Sequence, residues 1–280
     1  MENALKLPNP VQVLDLFPEE RAALLDLLSE LTPEDWKKPT ACSDWSVREV
    51  ALHILGGDLG NISRRRDKFQ GTSTKRRGSE NTIVLVNRVN DAWVEGAERL
   101  SPRLITDLLA FSGPQLFDYF SSLDLMAQGG SVTWAGLDAA PVWLDVAREY
   151  TERWLHQQHI RDAVDKPGLT ERRFLAPVLE TFAHALPVAF RDTAAPHGTF
   201  VHVHFEGEAG GDWALERVDG GWKLYQGIPD APDALVDVDQ STAWRLFTKG
   251  ITPKQAERMI LFIGNRKLGL HVLRTVAIIA

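Results

Sequence analysis

The apolar residues of the first half of the chain recur every three or four positions, which is the spacing of amphipathic helices. A first helix is predicted to begin near Pro18, because proline suits the first helical position. A second is predicted to begin at Ser46 and Glu49, which form an S-x-x-E capping box, and to continue toward Arg64. The apolar residues of a third helix are Val86, Val89, Trp93 and Ala97.

A fourth long helix is predicted from Pro141 to Val164, where the sequence Lys-Pro-Gly at 166–168 ends it. Shorter helical pieces are expected within residues 102–128. Four main helices joined by polar connections predict an all-α four-helix bundle, and we assign it to residues 1–168.

The pattern changes in the second half of the chain. One more helix is predicted from Arg173 to Arg191, and apolar residues then alternate with polar ones over 201–206, which is the period of a strand. Paired glycines separate the next short apolar runs, so a meander of antiparallel strands is expected. Helices are predicted again at Thr242 to Thr248 and from Thr252 onward. Residues 169–280 are therefore predicted to form a second domain, of the α+β class.

The composition is that of a folded, soluble protein. With 44% apolar residues, 25% charged residues and a net charge of −7, the chain is neither disordered nor suited to nucleic acid. Cys42 is the only cysteine, which excludes an internal disulfide and suits a reducing compartment. The sequence has no signal-peptide pattern and no run near the ~18 apolar residues of a membrane span. We therefore expect a cytoplasmic monomer or homodimer that binds neither membrane nor nucleic acid.

One group of polar residues has the composition of a metal site. Glu152 and His156 lie four positions apart on the fourth predicted helix, so their side chains share one face. His53 lies on the capped second helix, and three glycines follow it on the same face. This open surface suits a metal, a ligand or a closely packed helix. By spacing alone, the three residues also fit a solvated Glu–His pair and a packed histidine.

An apolar stripe on the fourth helix has a bearing on this site. It lies almost opposite Glu152 and His156 and consists of Trp143, Ala147, Tyr150 and Trp154. If the stripe faces the core of the bundle, the two polar residues face outward. The metal site therefore requires a helix that is covered on both sides.

Two segments resemble the motifs of a known family. Residues 45–67, WSVREVALHILGGDLGNISRRRD, resemble the signature helix of the DinB-like proteins, specifically the branch of the mycothiol-dependent maleylpyruvate isomerases. Residues 148–168, REYTERWLHQQHIRDAVDKPG, resemble the second motif of that family, in which Glu and His join the earlier His around a metal. The resemblance implies that His53, Glu152 and His156 are ligands of one divalent metal ion.

The C-terminal part of the chain carries a second resemblance. Its segments LVDVDQSTAWRLFTKG, at 235–250, and IGNRKLGLHVL, at 263–273, are similar to the sterol-carrier-like domain attached in this branch. The implied architecture is a DinB-like four-helix bundle followed by an α+β sterol-carrier-like domain.

Two positions depart from the pattern of the family, and both are candidate substrate-binding residues. His159 stands where close relatives have glutamine, and it could be a fourth ligand, a residue that supports the ligands or, as the sequence favours, a surface residue. Lys249 stands near the position of an arginine suited to an anionic substrate. A lysine lacks the bidentate fork of arginine, which argues against maleylpyruvate itself as the substrate.

The resemblance implies an enzyme that uses a low-molecular-weight thiol. Two histidines and one carboxylate leave a coordination position open on Zn²⁺, the favoured metal, and Fe, Ni or Mn also suit these ligands. A metal-bound thiol loses its proton, and its thiolate attacks a small electrophile. Reversible addition gives an isomerase and displacement gives an S-transferase. Two other classes stay open: a non-catalytic protein that binds a small molecule or lipid, and a stress-response protein with a structural metal.

The other polar clusters are interpreted as structural. A basic stretch is expected to be a solvated loop, with attraction of an anionic thiol or acid as the alternative. It contains Arg64, Arg65, Arg66, Lys68, Lys75, Arg76 and Arg77. His202 and His204 share a strand face, and since neither a carboxylate nor a cysteine is placed beside them, a surface strand is expected. Cys42 is interpreted as a small packing residue.

Overall fold

The computed structural model confirms the predicted fold class, a helical N-terminal part followed by an α+β C-terminal part. The residues that it describes are 5–42, 45–71, 75 and 77–278. They fall into two compact units. The helical unit consists of residues 13–124 and 149–169. The sheet unit consists of residues 5–12, 125–148 and 170–278. The sequence-based division after residue 168 is thus one residue from a boundary of the units, and 125–148 group with the sheet.

Five long α-helices contribute to the described part of the helical unit. They are α1 (Leu16–Ser29), α2 (Val47–Gly60), α3 (Thr82–Gly96), α4 (Pro102–Ser121) and α5 (Val142–Ala163), of which α5 belongs to this unit from Glu149 onward. A π-helical turn, Asn61–Arg66, prolongs α2. None of the helices within the described residues is both long enough and apolar enough to cross a membrane.

Helix α4 is continuous, so the prediction of shorter pieces within residues 102–128 was wrong. Ser101 caps its first turn by accepting a hydrogen bond from the Leu104 backbone N–H. Pro114 lies inside the helix. It has no backbone N–H to donate to the helical hydrogen bonds, so the local sequence favours a break in the helix here. The helix continues because one apolar face is buried along its whole length, which outweighs the local cost of the proline. This face contains Ile105, Leu109, Leu116 and Phe120.

Helix α2, which carries His53, is fixed at its start and along one side. The predicted capping box is present, and the Ser46 backbone N–H donates to Glu49 Oε2 at 2.6 Å. The Trp93 indole N–H of α3 donates to the Leu52 carbonyl at 2.7 Å. A Cβ atom at Gly56 would lie 2.5 Å from Trp93 Cδ1, so only glycine permits this approach. The glycine surface beside His53 thus accommodates a closely packed helix.

The sheet unit contains one mixed sheet of five strands in the order β3-β2-β1-β4-β5. The strands are β1 (Phe200–Glu206), β2 (Gly211–Val218), β3 (Gly221–Gln226), β4 (Ala234–Asp239) and β5 (Leu261–Gly264). Strands β1, β2 and β3 form the predicted antiparallel meander. Strand β4 pairs with β1 in parallel, with Val203 opposite Val236. Strand β5 was not predicted; its Leu261 and Ile263 are exposed, because β5 lies at an edge of the sheet.

Short helices complete the sheet unit. They are α6 (Arg172–Ala183), α7 (Leu186–Phe190), α8 (Gln240–Phe247), α9 (Pro253–Ala256) and α10 (Arg266–Gly269). The prediction of a single helix from Arg173 to Arg191 was wrong. Pro187 has no backbone N–H, and inside a helix its ring would clash with the carbonyl of Ala183, where α6 ends. The chain therefore turns and begins α7 with this proline in its first turn.

Candidate metal centre

His53, Glu152 and His156 lie close together within the helical unit. Helix α2 supplies His53, and successive turns of α5 supply Glu152 and His156. One donor atom from each of the three side chains lies within 4.8 Å of the other two. His156 Nε2 is 3.6 Å from Glu152 Oε2, and the ring centroids of His53 and His156 are 4.5 Å apart. The three side chains can therefore contact one common ion.

The donor distances and the donor types fit a divalent metal. Nitrogen and oxygen ligands of a tetrahedral Zn²⁺ lie about 3.4 Å apart, since each is ~2.0–2.2 Å from the ion. The observed 3.6 Å between His156 Nε2 and Glu152 Oε2 is close to this value. Two imidazoles and one carboxylate are also the ligand set of catalytic sites that keep an open position. Small side-chain adjustments would complete the coordination.

Both histidines are held in the neutral form that a metal ligand requires. Burial, together with the adjacent His156, lowers the pKa of His53 to about 3. Burial and the nearby Arg153 lower the pKa of His156 to about 4. Each ring therefore has a nitrogen lone pair free of a proton near neutral pH.

Helix α5 is covered on both sides, which meets the requirement set by its apolar stripe. Tyr150 and Trp154 of the stripe are fully buried. On the opposite side of the helix, the side of Glu152, His159 is buried as well, with 8% exposure. Glu152 and His156 retain 29% and 12% side-chain exposure. The polar face of α5 is thus largely covered, with Glu152 more exposed than His156.

A buried charge network connects the two helices that carry the three residues. Asp58 of α2 is completely buried, and both of its carboxylate oxygens accept hydrogen bonds. Arg153 of α5 donates to Asp58 Oδ1 at 2.9 Å, and Arg21 of α1 pairs with Asp58 Oδ2 at 2.7 Å. Ser112 of α4 donates to the same Oδ2 at 2.7 Å. One carboxylate thereby joins four helices.

A second carboxylate completes this network. Glu149 Oε2 accepts hydrogen bonds from Arg153 Nη1 and from Asn61 Nδ2, each at 2.9 Å. Arg153 is adjacent to Glu152 in the sequence, and Asp58 lies on the same helix as His53. The network therefore fixes α5 against α2, the two helices that carry the three candidate ligands.

Three residues of the site region were missed or misinterpreted from the sequence. Trp45 packs on His53, with ring centroids 4.9 Å apart. Cys42 is more than a packing residue, because its Sγ lies 3.9 Å from His156 Nδ1 and 3.2 Å from His159 Nδ1. The interpretation of His159 as a surface residue was wrong, since only 8% of it is exposed. Cys42 and Trp45 lie just before the capping box of α2, the helix that carries His53. Their closeness to His53 in the sequence was the available signal that they belong to the site region.

Lys249, the other candidate substrate-binding residue, lies in the sheet unit directly after α8. Its side chain is exposed and its backbone adopts a left-handed conformation, with φ at 61°. Its role in substrate binding stays a prediction.

The basic stretch begins inside a helical turn, contrary to the prediction, because Arg64, Arg65 and Arg66 belong to the π-helical turn that prolongs α2. Arg66 is exposed and pairs with Asp67 at 2.7 Å, and Lys68 and Arg77 are exposed as well. Arg76 lies outside the described residues. The interpretation as a solvated connection therefore holds only for the described residues after Arg66.

The histidines of strand β1 do have a carboxylate beside them, contrary to the sequence-based interpretation. Asp212 Oδ1 of β2 lies 2.8 Å from His202 Nε2 and 2.9 Å from His204 Nδ1. His202 is buried, so a plain surface strand was also wrong. Asp212 lies opposite His204 in the antiparallel pairing, a register that could not be read from the sequence.

Comparisons with known proteins agree with this architecture. The family model for the mycothiol maleylpyruvate isomerase N-terminal domain matches residues 17–161, slightly more than half of the chain. A crystal structure of a histidine-to-alanine mutant of the mycothiol-dependent maleylpyruvate isomerase aligns with a TM-score of 0.53 at 10% identity, over 89% of this chain and 91% of that chain. A second crystal structure, of the mycothiol-dependent maleylpyruvate isomerase, has a TM-score of 0.46, 11% identity and coverage of 83% and 86%. No curated protein matches the chain.

Proposed function

The chain belongs to the family of the mycothiol maleylpyruvate isomerase N-terminal domain, and on that basis we propose that it is a metal- and thiol-dependent enzyme. In this proposal His53, Glu152 and His156 bind one divalent ion, with Zn²⁺ as the favoured metal. The substrate is a small electrophile, and the cosubstrate is a low-molecular-weight thiol.

The observation that carries the proposal is the convergence of these three donor groups within 4.8 Å, from two separate helices. The helical spacing within α5 accounts for Glu152 and His156 alone. His53 is about 100 positions earlier in the sequence, so its place beside them is a property of the fold. A solvated Glu–His pair would not need an imidazole from α2 beside it.

The chemistry of the site follows from its ligands. A divalent ion bound here would lower the pKa of a thiol in its open position and supply a thiolate at neutral pH. His53 and His156 contribute neutral nitrogen donors, and Trp45 limits the rotation of the His53 ring by packing against it. Glu152 contributes the negative charge, and since its side chain is more exposed than that of His156, a small thiol would approach from its side.

The reaction class follows from the fate of the thiol. Reversible addition to an activated double bond permits cis–trans isomerisation, whereas displacement of a leaving group gives S-transfer. Family membership supports the isomerase, and mycothiol is the first thiol to test. Lys249 and His159 remain our candidate substrate-binding residues.

A turnover assay tests this function. Zn²⁺-loaded protein is mixed with mycothiol, glutathione or cysteine, and with maleylpyruvate for isomerisation or monochlorobimane for S-transfer. We expect a rate that requires metal and thiol together, and that falls by at least about 100-fold in Glu152→Gln. Glu95→Gln is the matched control. It makes the same substitution at an exposed position of α3 and is expected to leave the rate unchanged.

Other outcomes would reject the proposal. Metal-loaded protein that binds thiol without turnover of either electrophile class would favour a binding protein. Metal removal that collapses the thermal stability of the fold, again without turnover, would favour a structural metal.

A further inference from the structure

A second set of metal-binding side chains adjoins the first. Cys42, His156 and His159 each have a donor atom within 4.8 Å of the other two. Cys42 lies in the connection before α2, where its backbone N–H donates to Thr40 Oγ1 at 3.1 Å. Thr40 Oγ1 in turn donates to the Trp45 carbonyl at 2.7 Å, so the position of Cys42 is fixed relative to the start of α2.

We propose that Cys42, His156 and His159 form a second site for a thiophilic cation, and that this site and the first exclude each other because both use the His156 ring. The inference depends on the proposed function in one respect only, the assignment of His156 to the first site. Cys42 has no part in the proposed function, and His159 enters it only as a candidate substrate-binding residue.

The distances around Cys42 fit a metal–thiolate site. A sulfur ligand at ~2.3 Å and a nitrogen ligand at ~2.05 Å from a tetrahedral ion lie about 3.6 Å apart. The observed distances from Cys42 Sγ, 3.2 Å to His159 Nδ1 and 3.9 Å to His156 Nδ1, lie on either side of this value. Shifts of a few tenths of an ångström would bring Cys42 Sγ to this distance from both rings, and the donor atoms of the two rings lie within 4.8 Å of each other.

The two sets use opposite nitrogens of one ring. His156 Nε2 lies on the side of Glu152, and His156 Nδ1 lies on the side of Cys42. A neutral imidazole has a proton on one nitrogen and a lone pair on the other, so it can coordinate one ion at a time. An ion bound through Nδ1 would place the proton on Nε2 and thereby withdraw His156 from the first site.

The two sets differ in softness rather than in charge. Each combines two neutral imidazoles with one anionic group, a carboxylate in the first set and a thiolate in the second. Thiolate ligands select soft ions such as Cd²⁺ and Cu⁺, whereas carboxylate ligands favour harder ones. We therefore expect Cd²⁺ to occupy the Cys42 set and to displace the ion of the first set.

Cadmium titration of the full chain, metal-free and in a thiol-free reductant, tests this site. Wild-type protein is expected to bind one Cd²⁺ and to develop the ultraviolet charge-transfer absorption of a Cd²⁺–thiolate bond. The absorption should be lost in Cys42→Ser, His159→Ala and His156→Ala, and retained in Glu152→Gln. Preloaded Zn²⁺ should be released as the absorption appears.

Three results of the cadmium titration would contradict the second site. Absence of the absorption in the wild type, its persistence in His159→Ala, or binding of two ions per chain would overturn the proposal. Failure of the first site is a separate result, in which Zn²⁺ content does not respond to His53→Ala or Glu152→Gln. The Cd²⁺ absorption would then still report on Cys42 and His159.

Discussion

Replacement of His156 by alanine is expected to abolish stoichiometric metal binding and thiol-dependent turnover. The ring provides one of three donors, and loss of a residue that only supports a ligand already weakens metal binding by roughly 10–100-fold. Loss of a ligand itself should exceed that range. Metal content after dialysis, together with the turnover rate, measures the effect.

His197→Ala is the matched control, since His197 is exposed and lies in the sheet unit. It should retain the metal and the activity. The free energy of unfolding of metal-free His156→Ala should stay within about 2 kcal/mol of the wild type, because no buried charge is left unpaired. A variant that keeps one equivalent of metal would show that His156 is not a ligand.

The second large effect is expected at Asp58, whose carboxylate joins Arg21, Arg153 and Ser112. Asp58→Ala would leave two guanidinium groups, with 8% and 4% side-chain exposure, without this partner. Breaking a buried ion pair from one side costs about 3–5 kcal/mol, so we expect the free energy of unfolding to fall by that amount. Urea denaturation of the metal-free protein measures this free energy. Asp58→Asn keeps the shape of the side chain and should destabilise the protein less than Asp58→Ala.

The pH dependence of this effect has a defined sign. Burial alone would raise the pKa of Asp58, but Arg21, Arg153 and the Ser112 hydroxyl together lower it. The stabilisation by this carboxylate is therefore complete above the unfolded-state pKa of ~3.9 and is lost as the pH falls through the lower folded-state pKa. The difference between wild type and Asp58→Ala should be constant at neutral pH and decrease below about pH 4.

Asp107→Ala provides the control for this comparison. Asp107 is 64% exposed and lies 3.8 Å from Arg103, an exposed pair of a kind that contributes at most about 1 kcal/mol. If Asp58→Ala and Asp107→Ala lower the free energy of unfolding by the same small amount, the network does not hold α2 and α5 together.

Local patterns in the sequence predicted what depends on local energetics. The capping box at Ser46 placed the start of α2, and the alternation of apolar residues placed strand β1. The errors occur where tertiary packing outweighs local preference. Helix α4 continues through Pro114 because its face is buried, whereas β5 is too short to have a periodic signal and exists by pairing with β4.

The same distinction holds for the candidate site. Spacing within one helix predicted that Glu152 and His156 share a face, but only the family resemblance joined His53 to them. Cys42 and His159 come together across two elements, and no period in the sequence encodes that contact. Asp58 and Arg153 are charged residues on buried helical faces. A buried charge requires a partner of opposite charge, so these two positions were an available signal for the network.

The most direct test of the account is a crystal structure of Zn²⁺-loaded protein with data collected on both sides of the zinc absorption edge. We expect one anomalous peak at ~2.0–2.2 Å from a ring nitrogen of His53, a carboxylate oxygen of Glu152 and Nε2 of His156. A zinc peak away from these three side chains, or none in protein that contains one equivalent of zinc by analysis, would contradict the account.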